Sequence, residues 1–383
     1  MTCYFSSMQK LCNHLSECGG CTLQQMPYQE QLQQKQAAIE ALFPMAKTIV
    51  PCQNPWRYRN KMEFSFSQNK AGDKYLGLIM RSSGGKVFNL HECLLAPSWM
   101  AETLQRVKAW WDQTEIPAFH FHRGTGTLRT LTLREGRRTG DRLAMLTVSG
   151  DPKYALTRTQ LNSFLKALDN PQMSTFLRVQ QCIPKTPTQF FEMHLCGPDH
   201  IRDELHLQGR VLSFKISPSS FFQPNTEQAE VLYTKALEMT TSSSLVYDLY
   251  CGTATLGMAF ALKAKKVVAI ELNPYAVFDA RINAEQNQIE NITIECGDVG
   301  KLLATISDTP DLVIVDPPRP GLDSLALEQL KRLQPRQILY VSCNPTTQAK
   351  NIAELVDYQV IHVQPVDQFP HTKHIENIVL LSR

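Results

Sequence analysis

Residues 246–257 read V-Y-D-L-Y-C-G-T-A-T-L-G, and this stretch decides the fold. An apolar β-type run ends in a turn of small residues where a helical pattern begins, and Glu271 ends the next apolar run nineteen residues after Gly252. Small residues let a ligand approach the backbone, and a carboxylate at the next strand's tip can accept both ribose hydroxyls. The pattern indicates a nucleoside-binding crevice, although such turns also occur for packing reasons.

The rhythm around this loop predicts a parallel sheet. From Ser244 onward, segments of helical length separate five β-rich runs: SLVYDLY, KVVAIEL, ITIECGD, DLVIVDPP and QILYVSC. Such alternation is typical of βαβ units, in which helices cover both faces of a sheet. The last two runs, YQVIHVQPV and HIENIVLLS, are joined without a helix and predict a terminal antiparallel hairpin.

The part before residue 225 has a different pattern and predicts an α+β region. Helices are expected near 28–43, 98–113 and 155–168, between the β-type runs MEFSFSQ, KYLGLIM, LRTLTLR, LAMLTVS, TFLRVQQ and QFFEMHL. Asn225 or Thr226 is suited to cap a helix running to about Met239. We therefore expect one domain over 1–225 and a second over 226–383.

Composition limits the class of protein. The chain has 383 residues, a net charge of +3 and eleven cysteines. No secretion signal and no run of about 18 apolar residues is present, so a cytoplasmic protein without a membrane anchor is expected. In a reducing compartment, cysteines indicate metal binding or thiol chemistry rather than disulfides. The small net charge does not mark a general nucleic-acid binder.

The nucleoside ligand could be NAD or S-adenosylmethionine. Residue 254 is Ala where a pyrophosphate-binding loop would have a second Gly, which weakens the case for a dinucleotide. Asp298 ends the third β-type run and Asp316, in VDPPRPG, ends the fourth. Four strand ends along one crevice suggest a methyl donor with its acceptor above it.

Two groups of cysteines stand out. Cys343 lies in L-Y-V-S-C-N-P-T-T (339–347), where an apolar strand ends, so its thiol is either a core group or an active-site nucleophile. Near the start, Cys12, Cys18 and Cys21 form a C-x5-C-x2-C array, with Cys93 as a fourth candidate. Four thiolates suit zinc or a [4Fe–4S] cluster, and the x5 gap favours iron–sulfur.

The segments SFFQPN, DLYCGTATLG, VDPPRPGL, YVSCNPTT and VDQFPHTKHIENIVLL, in this order, resemble the RNA uracil-5-methyltransferases. These enzymes use S-adenosylmethionine to make 5-methyluridine in ribosomal or transfer RNA. The resemblance implies an α/β, Rossmann-like S-adenosylmethionine-dependent methyltransferase domain at the C-terminus. The α+β domain before it would carry a cysteine-ligated cluster.

The resemblance also implies roles for individual residues. Cys343 would be the nucleophile and Glu376 the base, and Asp316 would touch both the donor and the target uracil. The implied donor contacts are Gln223, Tyr250, Thr255, Glu271, Asp298 and Asp316. Ala254 departs from the Gly usual in the family, which puts donor affinity in question. The chemistry fits these residue types, because a thiolate that adds to C6 of uracil makes C5 nucleophilic.

The same resemblance bears on the cluster and the RNA. A subset of the family holds a [4Fe–4S] cluster on this cysteine array, which points to Cys12, Cys18, Cys21 and Cys93 and to the 23S ribosomal RNA type. That type often carries an N-terminal β-barrel, which would be missing here because only eleven residues precede Cys12. Transfer RNA as substrate, and a catalytically silent RNA-binding assembly factor, remain alternatives.

Two basic stretches are candidates for holding RNA. The first, N-P-W-R-Y-R-N-K-M (54–62), interleaves cations with Trp56 and Tyr58. The second carries six arginines, which are Arg123, Arg129, Arg134, Arg137, Arg138 and Arg142. Both could also be solvated strand and turn charges. Oligomeric state is not indicated, and a monomer is assumed.

Overall fold

The computed structural model describes residues 11–182 and 186–383, and the chain divides into two compact units. The N-terminal unit comprises residues up to Gln31, Trp56–Glu135 and Asp141–Asp199. The C-terminal unit comprises Leu32–Pro55, Gly136–Gly140 and His200–Arg383. The boundary at residue 225 stays a prediction of domain organisation, whereas compactness places residues 200–225 and two earlier segments with the C-terminal unit.

The N-terminal unit is built on a seven-stranded sheet in the order β3-β2-β1-β4-β5-β6-β7. Neighbouring strands are antiparallel except β5 and β6, which are parallel. The strands are β1 (Lys61–Gln68), β2 (Lys74–Ile79), β3 (Val87–Asn89), β4 (Leu128–Glu135), β5 (Arg142–Ser149), β6 (Ser174–Gln181) and β7 (Gln189–Cys196). The helices of this part of the chain are α1 (Tyr28–Glu40), α2 (Ser98–Asp112) and α3 (Arg158–Leu168).

One face of this sheet forms the core of the unit. Met62, Phe64 and Phe66 alternate along β1 and are buried with Val107 and Trp111 of α2. This period of two is what a strand with one buried face requires. The six predicted β-type runs and three predicted helices are confirmed, and β3 was not predicted.

The C-terminal unit holds a second seven-stranded sheet in the order β12-β11-β10-β13-β14-β16-β15. Its strands are β10 (Ser243–Leu249), β11 (Ala264–Glu271), β12 (Ile292–Cys296), β13 (Leu312–Val315), β14 (Gln337–Ser342), β15 (Gln359–Val366) and β16 (Glu376–Ser382). A separate hairpin, which was not predicted, pairs β8 (Ile201–Leu207) with β9 (Arg210–Ile216). The helices are α4 (Thr226–Glu238), α5 (Thr255–Ala261), α6 (Pro274–Gln286), α7 (Val299–Thr305), α8 (Ser324–Leu333) and α9 (Pro345–Glu354).

The first five strands of this sheet, β10 to β14, run parallel, as the alternating pattern predicted. The chain moves outward from β10 to β11 and β12, then returns to the other side of β10 as β13. The carboxyl ends of β10 and β13 therefore flank the topological switch point, where ligands of open α/β sheets bind.

Two local predictions are confirmed at the ends of this unit. Asn225 caps α4, since its side chain accepts a hydrogen bond from the Gln228 amide. The last two strands form an antiparallel pair, with β16 inserted between β14 and β15. This insertion brings the first residue of β16, Glu376, next to the end of β14.

Among the described residues, we find no helix with the length and apolar character needed to span a bilayer.

Candidate active site

The switch point carries Tyr250 on one side and Asp316 on the other. Tyr250 directly follows β10 with a left-handed backbone (φ 62°), and the Asp316 amide donates to the Leu249 carbonyl oxygen at 3.4 Å. Burial and the nearby carboxyl groups of Asp323 and Asp298 raise the pKa of Tyr250. Both predicted donor contacts therefore lie at the mouth of the crevice.

Glu271 fixes the glycine turn beside this mouth. One oxygen of its carboxylate accepts from the Gly252 amide at 2.9 Å and the other from the Asn273 amide at 2.8 Å. Asp298 follows β12 and caps α7 by accepting from the Lys301 amide at 3.0 Å. Each carboxylate thus has a local structural task besides any ligand it holds.

The loop between β10 and α5 contains an unusual backbone at Ala254. This residue is fully buried and left-handed, with φ 57° and ψ 31°. This conformation costs free energy for every residue that has a Cβ atom, because Cβ crowds the following carbonyl oxygen. The conformation explains in physical terms why Gly is favoured at this position.

Gln223 and Thr255 meet at a buried tyrosine on α4. The Thr255 hydroxyl lies 3.0 Å from the hydroxyl of Tyr233, and Gln223 hydrogen-bonds the same hydroxyl. Both predicted donor-binding residues are therefore held by one tyrosine. Burial raises the pKa of Tyr233, which keeps it a neutral hydroxyl that can both donate and accept.

Asp248 is a buried acid that the sequence argument did not single out. Its carboxyl group accepts a hydrogen bond from the Gly257 amide. One of its oxygens is buried without a hydrogen-bond partner among the described residues. Burial, with Asp316 and Glu271 nearby, raises the pKa of Asp248 to about 8. Its position inside an apolar strand gave no signal, because its exposure depends on tertiary packing.

Cys343 lies between β14 and α9 and is half-buried. It borders a cavity of about 390 Å³ whose polar wall includes Arg319, Lys373 and His374. The opposite wall is apolar and comes from the last turns of α1 and the residues after it, which are Ala38, Ile39 and Leu42. The thiol is therefore open to a ligand that has both a polar edge and an apolar face.

Three ionisable groups act on this thiol. Burial and the carboxyl groups of Glu376 and Asp316 raise the pKa of Cys343, whereas the Arg319 guanidinium, which hydrogen-bonds it, acts in the opposite direction. Arg319, which follows the prolines of VDPPRPG, was not among the site residues predicted from the sequence. Its contact with the thiol depends on the fold, so it was missed as the activating group.

The loop that carries Arg319 is fixed to the helix after Cys343. The Arg319 carbonyl oxygen accepts from the Asn344 side-chain amide at 3.1 Å and from the Thr347 hydroxyl at 3.2 Å. These two bonds join the segment after β13 to the start of α9. The guanidinium is therefore positioned by its own backbone as well as by its contact with the thiol.

Glu376 is the first residue of β16 and only 4% exposed. Burial and the neighbouring Asp316 raise the pKa of Glu376 well above its usual range, against the effect of Arg319. Burial alone raises the pKa of Asp316 to about 7. The structure thus brings two proton-binding carboxyl groups to one thiol at near-neutral pH.

The segment before Glu376 is tied down by buried contacts. The Lys35 ammonium on α1 donates to Asp367 at 2.5 Å and to the Phe369 carbonyl at 3.1 Å. Gln368 exchanges two hydrogen bonds with Asn225, one through each side-chain amide. Movement of this loop would separate the buried ion pair and leave an uncompensated charge, which is costly. We therefore expect the loop to be rigid.

In the N-terminal unit, Cys12, Cys18, Cys21 and Cys93 line one small, mostly apolar cavity. Burial and the other three thiols raise the pKa of Cys21 to about 12. Within residues 11–182 and 186–383, no set of three or more His, Cys, Asp or Glu side chains is already spaced to hold a metal ion. The predicted thiol set is nevertheless gathered around one cavity, and its donor chemistry suits soft metal centres.

The sequence assigned no site to the remaining cysteines. Among the described residues none forms a disulfide, and Cys52, Cys182, Cys196, Cys251 and Cys296 lie outside the cavity of four thiols. Cys3, for which no partner was predicted, lies outside the described residues.

The two basic stretches contain several cations that the fold already uses. Arg57 pairs with Glu92 and donates to the carbonyl oxygens of Cys93 and Ala96. Arg138 pairs with Glu230, at 2.6 Å. Structural tasks thus account for part of each stretch. Arg123, in contrast, is exposed on a hairpin.

Comparison with known proteins decides the family. The sequence model described as tRNA (Uracil-5-)-methyltransferase matches residues 168–297 and 305–383, which is more than half of the chain. The chain belongs to this family. It is thus an S-adenosylmethionine-dependent RNA methyltransferase of the uracil-5 type. The expected family and enzyme class are confirmed.

Relatives match over nearly the whole chain. An uncharacterised RNA methyltransferase of Protochlamydia amoebophila is 50% identical over 97% of this chain and 90% of its own length. An uncharacterised RNA methyltransferase of Staphylococcus epidermidis is 33% identical over 97% of this chain and 83% of its own length.

A solved structure is also similar. The Pyrococcus abyssi tRNA (uracil-54, C5)-methyltransferase, in complex with S-adenosyl-L-homocysteine, is 27% identical with a TM-score of 0.74. The match covers 95% of this chain and 86% of that one. The α/β methyltransferase fold expected from the sequence is therefore confirmed.

Proposed function

We propose that this methyltransferase transfers a methyl group from S-adenosylmethionine to C5 of a uridine in RNA through a covalent bond between Cys343 and C6. The observation that carries the proposal is one half-buried thiol beside a cavity, hydrogen-bonded by Arg319 and acted on by the charges of Glu376 and Asp316. A thiol with an adjacent cation and an adjacent base has the parts that covalent catalysis requires.

The first step is addition of the Cys343 thiolate to C6, which moves the electron pair of the C5–C6 double bond toward C5 and O4. Arg319 favours the ionised thiol, whereas negative charge on Glu376 or Asp316 opposes it. Protons on those carboxyl groups thus help the thiolate form. Burial raises the pKa of Asp316 to about 7 and that of Glu376 well above its usual range, which favours the protonated form of each.

In the second step a bond would form between C5 and the methyl group while the bond from that methyl group to the donor sulfur would break, leaving S-adenosylhomocysteine. The third step would restore the uracil ring. When bound, S-adenosylmethionine supplies the electrophilic methyl group. Glu376, once it has released its own proton to solvent, takes the proton from C5. The electron pair of the broken C5–H bond re-forms the C5–C6 double bond and expels the Cys343 thiolate from C6. A carboxyl group with a raised pKa suits this task, because a base is most effective when its pKa lies near the working pH.

Donor binding is proposed for the crevice at the ends of β10 to β13. Glu271 offers carboxylate oxygens at the tip of β11, and Asp298 offers them at the tip of β12. Tyr250, Thr255, Gln223 and Asp316 complete the predicted set around the switch point. These groups suit a ribose, an adenine edge and a cationic sulfur, and the charge of Asp316 also acts on the Cys343 thiol.

For the substrate, we propose ribosomal RNA, with transfer RNA as second candidate. The first choice rests on the resemblance of the cysteine array to the ribosomal type. The second is favoured by the similarity to a solved enzyme that acts on tRNA. A cytoplasmic site of action and a monomer remain part of the proposal.

The test is methylation of unmodified 23S ribosomal RNA and unmodified transfer RNA in parallel, with 5-methyluridine measured by mass spectrometry. We expect product from ribosomal RNA with wild type and none with Cys343→Ala. If only transfer RNA is methylated, transfer RNA rather than ribosomal RNA is the substrate. Product made by Cys343→Ala would contradict the covalent mechanism.

We propose that Cys12, Cys18, Cys21 and Cys93 hold a [4Fe–4S] cluster. Their shared cavity, with largely apolar walls, supports this, as does an all-sulfur donor set. The cluster would tie the segment before α1 to the segment after β3. Its task is structural, because methyl transfer needs no electron.

Anaerobically purified protein should then be brown and contain about four irons per chain. Zinc at about one per chain would contradict the proposal.

A further inference from the structure

Aromatic and basic side chains gather at one end of the N-terminal sheet. The strand register places Leu128, Val148, Val179 and Phe191 side by side across β4, β5, β6 and β7. The start of β4 and the start of β7 therefore lie at the same end of the sheet as the ends of β5 and β6. The surface formed there by residues 119–123, Arg129, Arg178 and Phe190 is called the aromatic end.

A tight hairpin forms the tip of the aromatic end. The Phe119 amide donates to the Leu128 carbonyl oxygen and the His120 amide to the Thr125 carbonyl oxygen, both at 2.7 Å. Gly126 has φ 103°, and a Cβ there would lie 2.1 Å from the Ala118 carbonyl oxygen, so a side chain cannot fit. The backbone that presents the tip is thus closely determined.

Phe121 stands at this tip and is 82% exposed. The rings of His120 and His122 lie 6.1 Å apart, and Phe121 and His122 meet edge to face at 5.7 Å. Phe121 adds almost nothing to a core, so packing does not account for a large ring here. A rigid scaffold that holds an exposed ring is typical of a binding surface.

Two arginines lie over aromatic rings at the same end. The Arg129 guanidinium is 3.5 Å from the centre of the Phe119 ring, and that of Arg178 is 5.4 Å from the centre of the Phe190 ring. Phe190 is itself half exposed. A guanidinium beside a ring can stack on a base and contact phosphate, which an ammonium does poorly.

The charge of the aromatic end suits an anion. Residues 116–129, which include the hairpin and the start of β4, contain Arg123 and Arg129 and no Asp or Glu. Two acids lie close by in the chain but are engaged, since Glu192 pairs with Arg178 at 2.6 Å and Asp151 accepts from the Lys153 amide at 2.9 Å. Exposed rings interleaved with cations match unpaired nucleotides, whose bases stack and whose phosphates are negative.

We propose that the aromatic end binds unpaired RNA nucleotides, with Phe121 stacking on a base and the arginines meeting phosphates. The inference rests on the proposed function in taking RNA as the substrate, and it adds which surface of the N-terminal unit holds it. Base stacking tolerates any base, so this surface contributes affinity rather than the choice of uridine.

The test is the affinity of the full chain for a fluorescein-labelled oligoadenylate of about 16 nucleotides, measured by anisotropy without methyl donor. This probe contains no uridine, so its binding does not depend on the chemistry at Cys343. Phe121→Ala should weaken binding about 5- to 150-fold. Phe278→Ala is the matched control, because Phe278 is 61% exposed on α6 in the other unit, and it should bind like wild type.

The outcomes separate this surface from the proposed chemistry. Three results would overturn the proposal that the aromatic end binds RNA, even where 5-methyluridine is still formed. These are unchanged binding by Phe121→Ala, equal loss of binding in both variants, and no binding by wild type. Loss confined to Phe121→Ala supports the surface even where no methylation is found. Unchanged thermal unfolding of Phe121→Ala is expected, since the ring is exposed, and it excludes loss of fold as the cause.

Discussion

Cys343 and Cys21 are both partly buried thiols, but their surroundings differ. Around Cys343 lie a guanidinium and two carboxyl groups, beside a cavity open to a ligand. Around Cys21 lie three other thiols in an apolar cavity. The first setting has groups that can move protons and favour a thiolate, whereas the second gathers an all-sulfur donor set. Neighbours, rather than burial, therefore underlie the different roles that we propose for the two thiols.

The largest expected effect comes from removing the base beside Cys343. Glu376→Gln should lower kcat about 10²- to 10⁴-fold, because the C5 proton then has no acceptor. Ordinary uridine-containing RNA should accumulate as a covalent complex, visible by denaturing electrophoresis. Glu354→Gln, in an exposed residue of α9 paired with Lys331, should behave like wild type. Normal turnover by Glu376→Gln would remove Glu376 from the mechanism.

Next in size is the effect of emptying the cavity of four thiols. Cys21→Ala should reduce iron from about four per chain to less than about one and lower the midpoint of thermal unfolding. Cys343→Ala should keep its iron, and Cys196→Ala, outside the cavity, serves as the matched control. Iron and unfolding temperature are measured on the same anaerobic preparation. Full iron in Cys21→Ala would show that the two thiol sites differ less than we propose.

A smaller effect is expected when the cation beside Cys343 is removed. Arg319 lowers the pKa of Cys343 by its charge and hydrogen bond, so Arg319→Ala should raise that pKa. The pH profile of iodoacetamide labelling at Cys343 should move to higher pH, with about tenfold less thiolate for each unit. Arg336→Ala removes an exposed arginine and should leave the profile in place. An unmoved profile in Arg319→Ala would assign activation to another group.

The smallest effect concerns the donor loop. Ala254 pays for its left-handed backbone, so Ala254→Gly should raise the free energy of unfolding by up to about 1 kcal/mol. Ala259→Gly, inside α5, should instead lower it by about 1 kcal/mol. Urea titration measures both, and calorimetry with S-adenosylhomocysteine checks donor affinity. A loss of stability in Ala254→Gly would show that the methyl group packs better than its backbone suggests.

The sequence was sufficient for elements with a clear period. The β-type runs and the capped helix after Asn225 were predicted because β-branched and aromatic residues cluster in strands and an Asn side chain can replace a missing helical acceptor. The resemblance selected Cys343 and Glu376, which the inserted strand β16 brings together. Their catalytic roles stay predictions.

Interactions that depend on tertiary contacts could not be predicted from the sequence. Arg319 reaches the thiol because Asn344 and Thr347 hold its backbone, and these contacts leave no periodic signal. Asp248 looks like any polar residue in a strand until its burial is known. The hairpin of β8 and β9 alternates residues clearly, with Leu205, Leu207, Leu212 and Phe214 buried, and it is a signal that was overlooked.

The most direct test of the central claim is a covalent trap. RNA containing 5-fluorouridine has no C5 proton to remove, so the base cannot be released after methyl transfer. Incubated with S-adenosylmethionine, the wild-type chain should gain the mass of the methylated RNA, and peptide mapping should place the bond at Cys343. Absence of this adduct from wild type on an RNA that it methylates, or its persistence in Cys343→Ala, would contradict the account.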